Sequence, residues 1–209
     1  VVARPVADTA AALDDLVSSS LVRVSAAQGD ASTAAVPRFD LLEPVREFAA
    51  ERMPQEAARA GRARLRAWLL AWALGLGASA VPARVAPELG TVHAVLASAG
   101  ADAGEGGTAR DALALAVALR AYWDTDGLPG SILTALEQAL QTLAGPDAAG
   151  SHAALVADSH ELLAYLRFEA GYVDAARQHA DAALLAAAAD PARRPPRLCS
   201  PRCWPSRHL

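Results

Sequence analysis

Thiol and imidazole side chains, which can ligate zinc or take part in nucleophilic catalysis, are few in this chain. They are two cysteines, Cys199 and Cys203, and five histidines, His93, His152, His160, His179 and His208. Cys199, Cys203 and His208 offer thiolate and imidazole ligands at a spacing that zinc accepts, but a closed tetrahedral site needs a fourth ligand. No HExxH, CxxC or GxSxG motif is present. We therefore predict no metal site and no catalytic residue, and we expect each histidine to be a surface or seam residue.

The chain also lacks the sequence motif that nucleotide-binding proteins usually contain. A phosphate-binding loop of the form GxxxxGK[ST] is absent, and "LGLGAS" at 74–79 has glycines without lysine and follows a helical pattern. Adjacent carboxylates such as Asp14 and Asp15 point in different directions on a helix, so they do not form an acid–base pair. We predict that this chain is not an enzyme and holds no cofactor of its own.

Composition favours a helical protein. Of the 209 residues, 53% are hydrophobic but only 5% are aromatic, because alanine dominates the apolar set. The net charge of −4 argues against nucleic acid as a partner. Cysteines confined to the tail fit a reducing, cytoplasmic environment. The uncharged stretch 67–83 is shorter than the ~20 residues of a membrane span, so we expect a buried helix, with a membrane segment as the weaker alternative.

The first 58 residues have the pattern expected for the second half of a winged-helix domain. A helix capped by Asp8 precedes two strand candidates, 21–24 and 36–41, which flank a wing at 26–35. A helix then begins near Pro44, a residue favoured at a first helical position. We expect its buried face to consist of four apolar residues: Val45, Phe48, Ala49 and Met53.

The rest of the chain reads as a connecting helical pair at 59–107, two antiparallel helical hairpins at 108–190 and a disordered Pro/Arg-rich tail at 191–209. The hairpins superimpose with a constant offset of 44 residues, which is typical of stacked repeats of tetratricopeptide (TPR) type. The predicted packing positions are Gly127, Ala139, Leu140, Gly171, Ala176, Ala180, Ala183 and Leu184. The predicted fold is thus mainly α: a partial winged helix with a small β-hairpin, followed by a TPR-like solenoid.

Two segments, "LDDLVSSSLVRV" at 13–24 and "RFDLLEPVREFAAERM" at 38–53, carry a family resemblance. They resemble the winged-helix segment of bacterial STAND-type (NB-ARC-like) transcriptional regulatory ATPases. In that family a nucleotide-binding domain precedes a winged helix, which is followed by tetratricopeptide repeats. The resemblance extends loosely over residues 8–190. The chain lacks an initiator methionine and a P-loop, so we expect it to be a piece of a longer regulator.

The resemblance implies an interaction and switching module. ATP or ADP would bind only to an upstream domain, which the winged helix would contact through Glu43, Arg46 and Glu47. The repeats would receive a protein partner or an inducer. Related switches sense ADP with a histidine where this chain has Leu42, which cannot hydrogen-bond a phosphate.

Two alternatives to the switching module are a free-standing TPR-like adaptor and a winged helix that binds DNA directly. The DNA-binding alternative is weakened by the helix at 8–20, which contains three aspartates and no basic residue.

Overall fold

The computed structural model of the chain describes residues 6–26, 37–77, 82–99, 106–143 and 149–188. These residues are mainly helical, with one antiparallel two-stranded sheet. The wing apart from its first residue, and the tail with Cys199, Cys203 and His208, lie outside the described residues. The elements in chain order are α1 (Val6–Ser18), β1 (Val22–Ala26), β2 (Pro37–Leu41), α2 (Glu43–Arg52), α3 (Gln55–Leu76), α4 (Pro82–Val85), a 3-10 turn (Ala86–Glu88), α5 (Leu89–Ala97), α6 (Gly106–Ala118), α7 (Arg120–Asp126), α8 (Gly130–Leu143), α9 (Ala149–Glu169) and α10 (Val173–Ala188).

The chain divides into two compact units, Val1–Arg64 and Leu65–Leu209. The division falls inside α3, whereas the sequence placed the end of the first domain at residue 58. Within the predicted connecting segment 59–107, helix α5 packs on α6 and α8, and its core side chains belong to the same cluster as theirs.

In the first unit the strands pair as the alternation of the sequence predicts. Val22 lies opposite Leu41 and Val24 lies opposite Phe39. Successive side chains of a strand point to opposite faces, so these four apolar residues share one face of the hairpin. On the other face the Ser25 hydroxyl donates a hydrogen bond of 3.1 Å to the Asp40 carboxylate.

The predicted buried face of α2 is wrong. None of its residues is buried, and Phe48 and Met53 are 56% and 48% exposed. Val45 and Ala49 are only half-buried. Among the described side chains of this unit, Val22 is the one buried hydrophobic residue. The apolar spacing exists, but nothing in the described chain covers it.

The second unit has a continuous hydrophobic core. The C-terminal half of α3 contributes Leu69, Ala73 and Leu76 to it, whereas Trp68 and Leu74 are 52% and 64% exposed, so the helix that the sequence predicted to be buried is buried on one face only. In α5, Val92 and Leu96 are fully buried and Leu89 is half-buried, as the spacing predicts. No helix among the described residues is both long and apolar enough to cross a bilayer. The core continues through α6, α7, α8 and α9.

Glycines form the two turns that the offset of 44 residues predicted. Gly127 follows α7 with φ +65°, and Gly171 lies between α9 and α10 with φ +83°. At the second turn the Gly171 amide donates to the Phe168 carbonyl at 2.9 Å and the Tyr172 amide donates to the Arg167 carbonyl at 2.8 Å. Such bonds satisfy the last carbonyls of a helix, and they need a left-handed residue at this position.

The helices of the two hairpins differ in form. The predicted first helix of the first hairpin is broken at Leu119 into α6 and α7, whereas α9 is continuous. Ala139, Ala176 and Ala183 are fully buried, but Leu184 is 51% exposed and does not repeat the packing of Leu140. Ala180 is half-buried. The solenoid and winged-helix assignments therefore stay predictions, within a mainly helical fold.

Replacing Gly171 with alanine should destabilise the protein by roughly 1–2 kcal/mol, because an L-residue is strained at positive φ. A Cβ at this position meets no atom within 4 Å, so the effect is purely conformational. Urea denaturation followed by circular dichroism measures it. The control is Gly75→Ala, in α3 of the same unit, where alanine has equal space and should stabilise by about 0.5 kcal/mol. Equal effects of the two substitutions would contradict the prediction.

Candidate functional site

Three helices of the second unit bring four ionisable side chains together. Glu137 comes from α8, His160 and Arg167 come from α9, and His179 comes from α10. His160 and Arg167 are seven residues apart, so they lie on one face of α9 two turns from each other. The close approach of α10 to α9 is helped by the buried Ala176 and the other small residues of α10.

A bidentate ion pair forms the base of this cluster. Arg167 donates from Nε to Glu137 Oε1 at 2.6 Å and from Nη2 to Oε2 at 2.7 Å. The side chains are only 13% and 22% exposed. Hydrogen bonds from Arg167 lower the pKa of Glu137 below its usual value, and Glu137 in turn raises the pKa of Arg167. Both groups are therefore charged at neutral pH. The Arg167 guanidinium also lies 5.4 Å from the centre of the Tyr172 ring.

Two imidazoles extend the cluster in a line. His179 Nε2 lies 3.3 Å from Glu137 Oε1, and His179 Nδ1 lies 3.0 Å from His160 Nδ1. Burial, the larger cause, and the nearby His179 together lower the pKa of His160 to about 4. His160 is consequently neutral at physiological pH.

The cluster lines a concave pocket of about 340 Å³. Pockets of this size hold small molecules in many proteins. Besides the four ionisable residues, the lining consists of Leu140, Gln141, Ala175 and Gln178. Two amide side chains and two aliphatic side chains therefore surround the ion pair of Glu137 and Arg167, whose charges cancel.

The ionisable groups of this lining are one carboxylate, one guanidinium and two imidazoles. No serine, threonine or cysteine is among the lining residues. Across the described ranges, no group of three or more potential ligand side chains is arranged to hold a metal ion. Glu137 is already engaged by Arg167 and His179 through both of its oxygens.

The sequence did not foresee that these residues meet. His160 and His179 were expected to be surface or seam residues, and they do lie in the seam of α9 and α10, but with Glu137 and Arg167 they form one site. The available signal was weak: both histidines fall in the second predicted hairpin. The remaining described histidines are unrelated to this pocket. His93 is stacked on Trp123 at 6.1 Å, where burial lowers its pKa, and His152 is half-buried.

The predicted interdomain residues lie elsewhere, at the start of α2. Arg46 Nη1 lies 2.8 Å from Glu43 Oε2, and their side chains are 58% and 63% exposed. Glu47 is exposed as well. Leu42 occupies the N-cap position in an extended conformation and is half-buried. These residues are accessible to a partner, as an interdomain contact requires.

The two arginine–glutamate pairs should respond differently to removal of the arginine. Arg167→Gln leaves the Glu137 charge in a largely buried place, and we expect a loss of about 3 kcal/mol in the free energy of unfolding. Arg46→Gln removes an exposed i, i+3 pair and should cost at most about 0.5 kcal/mol. Chemical denaturation of both variants tests this difference. Similar losses in the two variants would show that the buried pair has no special role in stability.

Acidification should destabilise the protein through His160. The folded state keeps the pKa of this residue at about 4, whereas an unfolded histidine has a pKa near ~6.5. Between about pH 7 and pH 5 the unfolded state therefore binds more protons, and the free energy of unfolding falls with the pH. We expect a loss of roughly 1 kcal/mol, after discounting for solvent screening of a partly exposed ring.

His160→Gln should reduce this pH dependence in urea denaturation, while the control His152→Gln, on the same helix, should retain it. If the free energy of unfolding of the His160 variant depends on pH as strongly as that of the unaltered protein, another group causes the acid sensitivity.

Comparison with known proteins identifies no family. No protein-family model, no curated protein and no solved structure matches this chain. The likeness to STAND-type regulators therefore depends on the sequence pattern of 13–24 and 38–53 and on the looser pattern around it. What that likeness implies for function is a proposal.

Proposed function

We propose that this chain is a non-catalytic regulatory and protein-interaction module of a STAND-type transcriptional regulator. It would couple a nucleotide-binding domain encoded upstream to a TPR-like sensor region. ATP or ADP would bind to the upstream domain, and an inducer or protein partner would bind to the helical repeats.

The observation that carries this proposal is the exposed apolar face of the first unit. On the hairpin, Val24, Phe39 and Leu41 are 52%, 45% and 39% exposed and share one face. Phe48 on α2 and Met53 at its C-cap are exposed to a similar degree. Several large apolar side chains left exposed in one small unit are what a protein interaction site would use. A neighbouring domain that covers them would supply the burial that the alternation of the sequence anticipates.

The surroundings of this face suit a protein partner. Arg52 lies 4.1 Å above the Phe48 ring, and Glu43, Arg46 and Glu47 add charges of both signs on the same helix. Aromatic and arginine side chains within a polar rim are typical of protein interfaces. In contrast, α1 carries Asp8, Asp14 and Asp15 and no basic residue, which would repel the phosphates of DNA.

Leu42 supports a passive role for the junction between β2 and α2, where it lies. A leucine at the N-cap of α2 has no group that could hydrogen-bond a nucleotide. The winged helix would then transmit the state of the upstream domain by packing alone.

A free-standing TPR-like adaptor is the second candidate. It is favoured by the second unit, which buries a continuous core from α3 to α9 without using the residues of the first unit. The two candidates differ in what the adjacent upstream coding sequence should contain. A P-loop domain there supports the regulator, and its absence favours the adaptor.

The apolar face can be tested by binding of the upstream domain, supplied as a separate chain, in calorimetry. We expect Phe48→Asp to weaken that binding at least about tenfold, because it places a charge in a buried contact. The matched control is Leu185→Asp, since Leu185 is 74% exposed and lies in the other unit. This control should bind normally. Equal binding by both variants, or micromolar binding of ATP or ADP by the present chain alone, would overturn the proposal.

A further inference from the structure

The proton positions in the histidine pair follow from its contacts. The ionised Glu137 carboxylate can only accept, so His179 Nε2 carries the proton of their 3.3 Å contact. In a neutral His179 the Nδ1 atom then has a lone pair and accepts from His160 Nδ1 at 3.0 Å. His160 Nε2 then carries no proton, and neither of these two contacts involves it. The pair thus has one vacant position for a further proton.

A proton added to this pair need not leave a charge on His160. If the shared proton moves from His160 Nδ1 to His179 Nδ1, the positive charge lies on His179, beside Glu137. His160 then carries its proton on Nε2 and changes from an acceptor to a donor at that atom, while it stays neutral. A second proton would place two positive charges on nitrogens 3.0 Å apart, which is strongly unfavourable. The pair therefore accepts one proton only.

Uptake of this proton changes the charge of the pocket. Before it, the Glu137 charge is matched by Arg167; after it, the pocket has a net charge of +1. The other charged groups of the three helices do not compensate, since Glu161 is paired with Arg120 at 2.7 Å and Asp158 has an interaction of its own. The remaining charged residues of α9 and α10 are exposed: Glu169, Asp174, Arg177 and Asp181.

The lining also selects for an anion. Gln141 and Gln178 bring amide donors, and both amides can turn their N–H groups toward an acceptor. The pocket has one carboxylate, and that carboxylate is already bonded. An oxyanion would thus meet donors and an uncompensated positive charge, whereas a cation would be repelled by that charge.

We propose that the pocket between α8, α9 and α10 binds a small oxyanion, of the carboxylate or phosphate type, together with one proton that the His160–His179 pair takes up. Binding of the anion and binding of the proton favour each other, and thermodynamic linkage makes this reciprocal. A free-standing adaptor would bind the anion equally, because every contact lies within the second unit.

Isothermal titration calorimetry with sulfate and with acetate tests this at about pH 5.5 and about pH 7.5, either side of the usual histidine pKa. Neither probe changes its charge appreciably in this range, and chloride keeps the ionic strength constant. We expect the affinity to rise as the pH falls, by up to about tenfold per pH unit, the limit for one linked proton. Repetition in buffers of different ionisation enthalpy should show net proton uptake of up to ~1 per site, the number the linkage requires.

The two probes distinguish the source of the oxyanion: preference for sulfate indicates a phosphate-type ligand, and preference for acetate indicates a carboxylate. Either preference supports the proposal if protons are taken up. Absence of binding for both probes, or binding without proton uptake, overturns it.

Substitutions test whether the proton that accompanies the anion is taken up by the His160–His179 pair. His179→Gln should remove the pH dependence of binding, because His179 carries the added positive charge, while His152→Gln, on α9 outside the pocket, should retain it. Unchanged linkage in the His179 variant overturns the proposal. If a pocket variant does not fold, the C2 proton resonances of the unaltered protein decide. Titration of a pocket histidine should shift to higher pH when sulfate is added, and a titration insensitive to sulfate and acetate excludes the site.

Discussion

The ion pair between Glu137 and Arg167 is the interaction on which the histidine pocket depends. It joins α8 to α9 through two short hydrogen bonds at largely buried positions. A bidentate pair fixes orientation as well as distance, because the planar guanidinium matches the geometry of a carboxylate. The orientation of Glu137 then determines where His179 can donate, and His179 determines where His160 lies. Each contact in this series of side chains therefore depends on the one before it.

The choice of arginine matters for this arrangement. The chain contains nineteen basic residues and every one is arginine. A lysine could neutralise Glu137 but could not occupy both of its oxygens in one plane. Such a site would leave a lone pair of the carboxylate open to water or to a cation. With arginine, both carboxylate oxygens are engaged, and among the lining residues the imidazoles are the groups that can change their protonation near neutral pH.

The two units of the chain place their apolar residues differently. The second unit encloses most of its described leucines among α3, α5, α6, α8 and α9, together with buried alanines. The first unit has an equally clear alternation, yet its hairpin and α2 leave most of their apolar side chains exposed. Burial of such surface is the main favourable term in folding and association. The first unit is therefore where the chain has most to gain from a neighbour.

Local structure was largely determined by the sequence. The two strand candidates form the predicted hairpin, proline marked the start of α2, and glycine marked both turns because positive φ is costly for other residues. Those signals act over a few residues, so periodicity and turn chemistry reveal them. They predicted the order of the helices and both strands, though not the break at Leu119.

Tertiary structure alone decided which apolar faces are covered and which distant side chains meet. The spacing of Phe48 and Met53 predicts an apolar face, but only packing shows that the described residues leave it exposed. Leu184 is likewise exposed, although Leu140, its counterpart at the predicted offset of 44 residues, is buried. Glu137 and His179 are 42 residues apart and become neighbours through the relative rotation of α8, α9 and α10. Helix rotation depends on how whole side-chain surfaces interlock, and a single-sequence pattern does not contain that information.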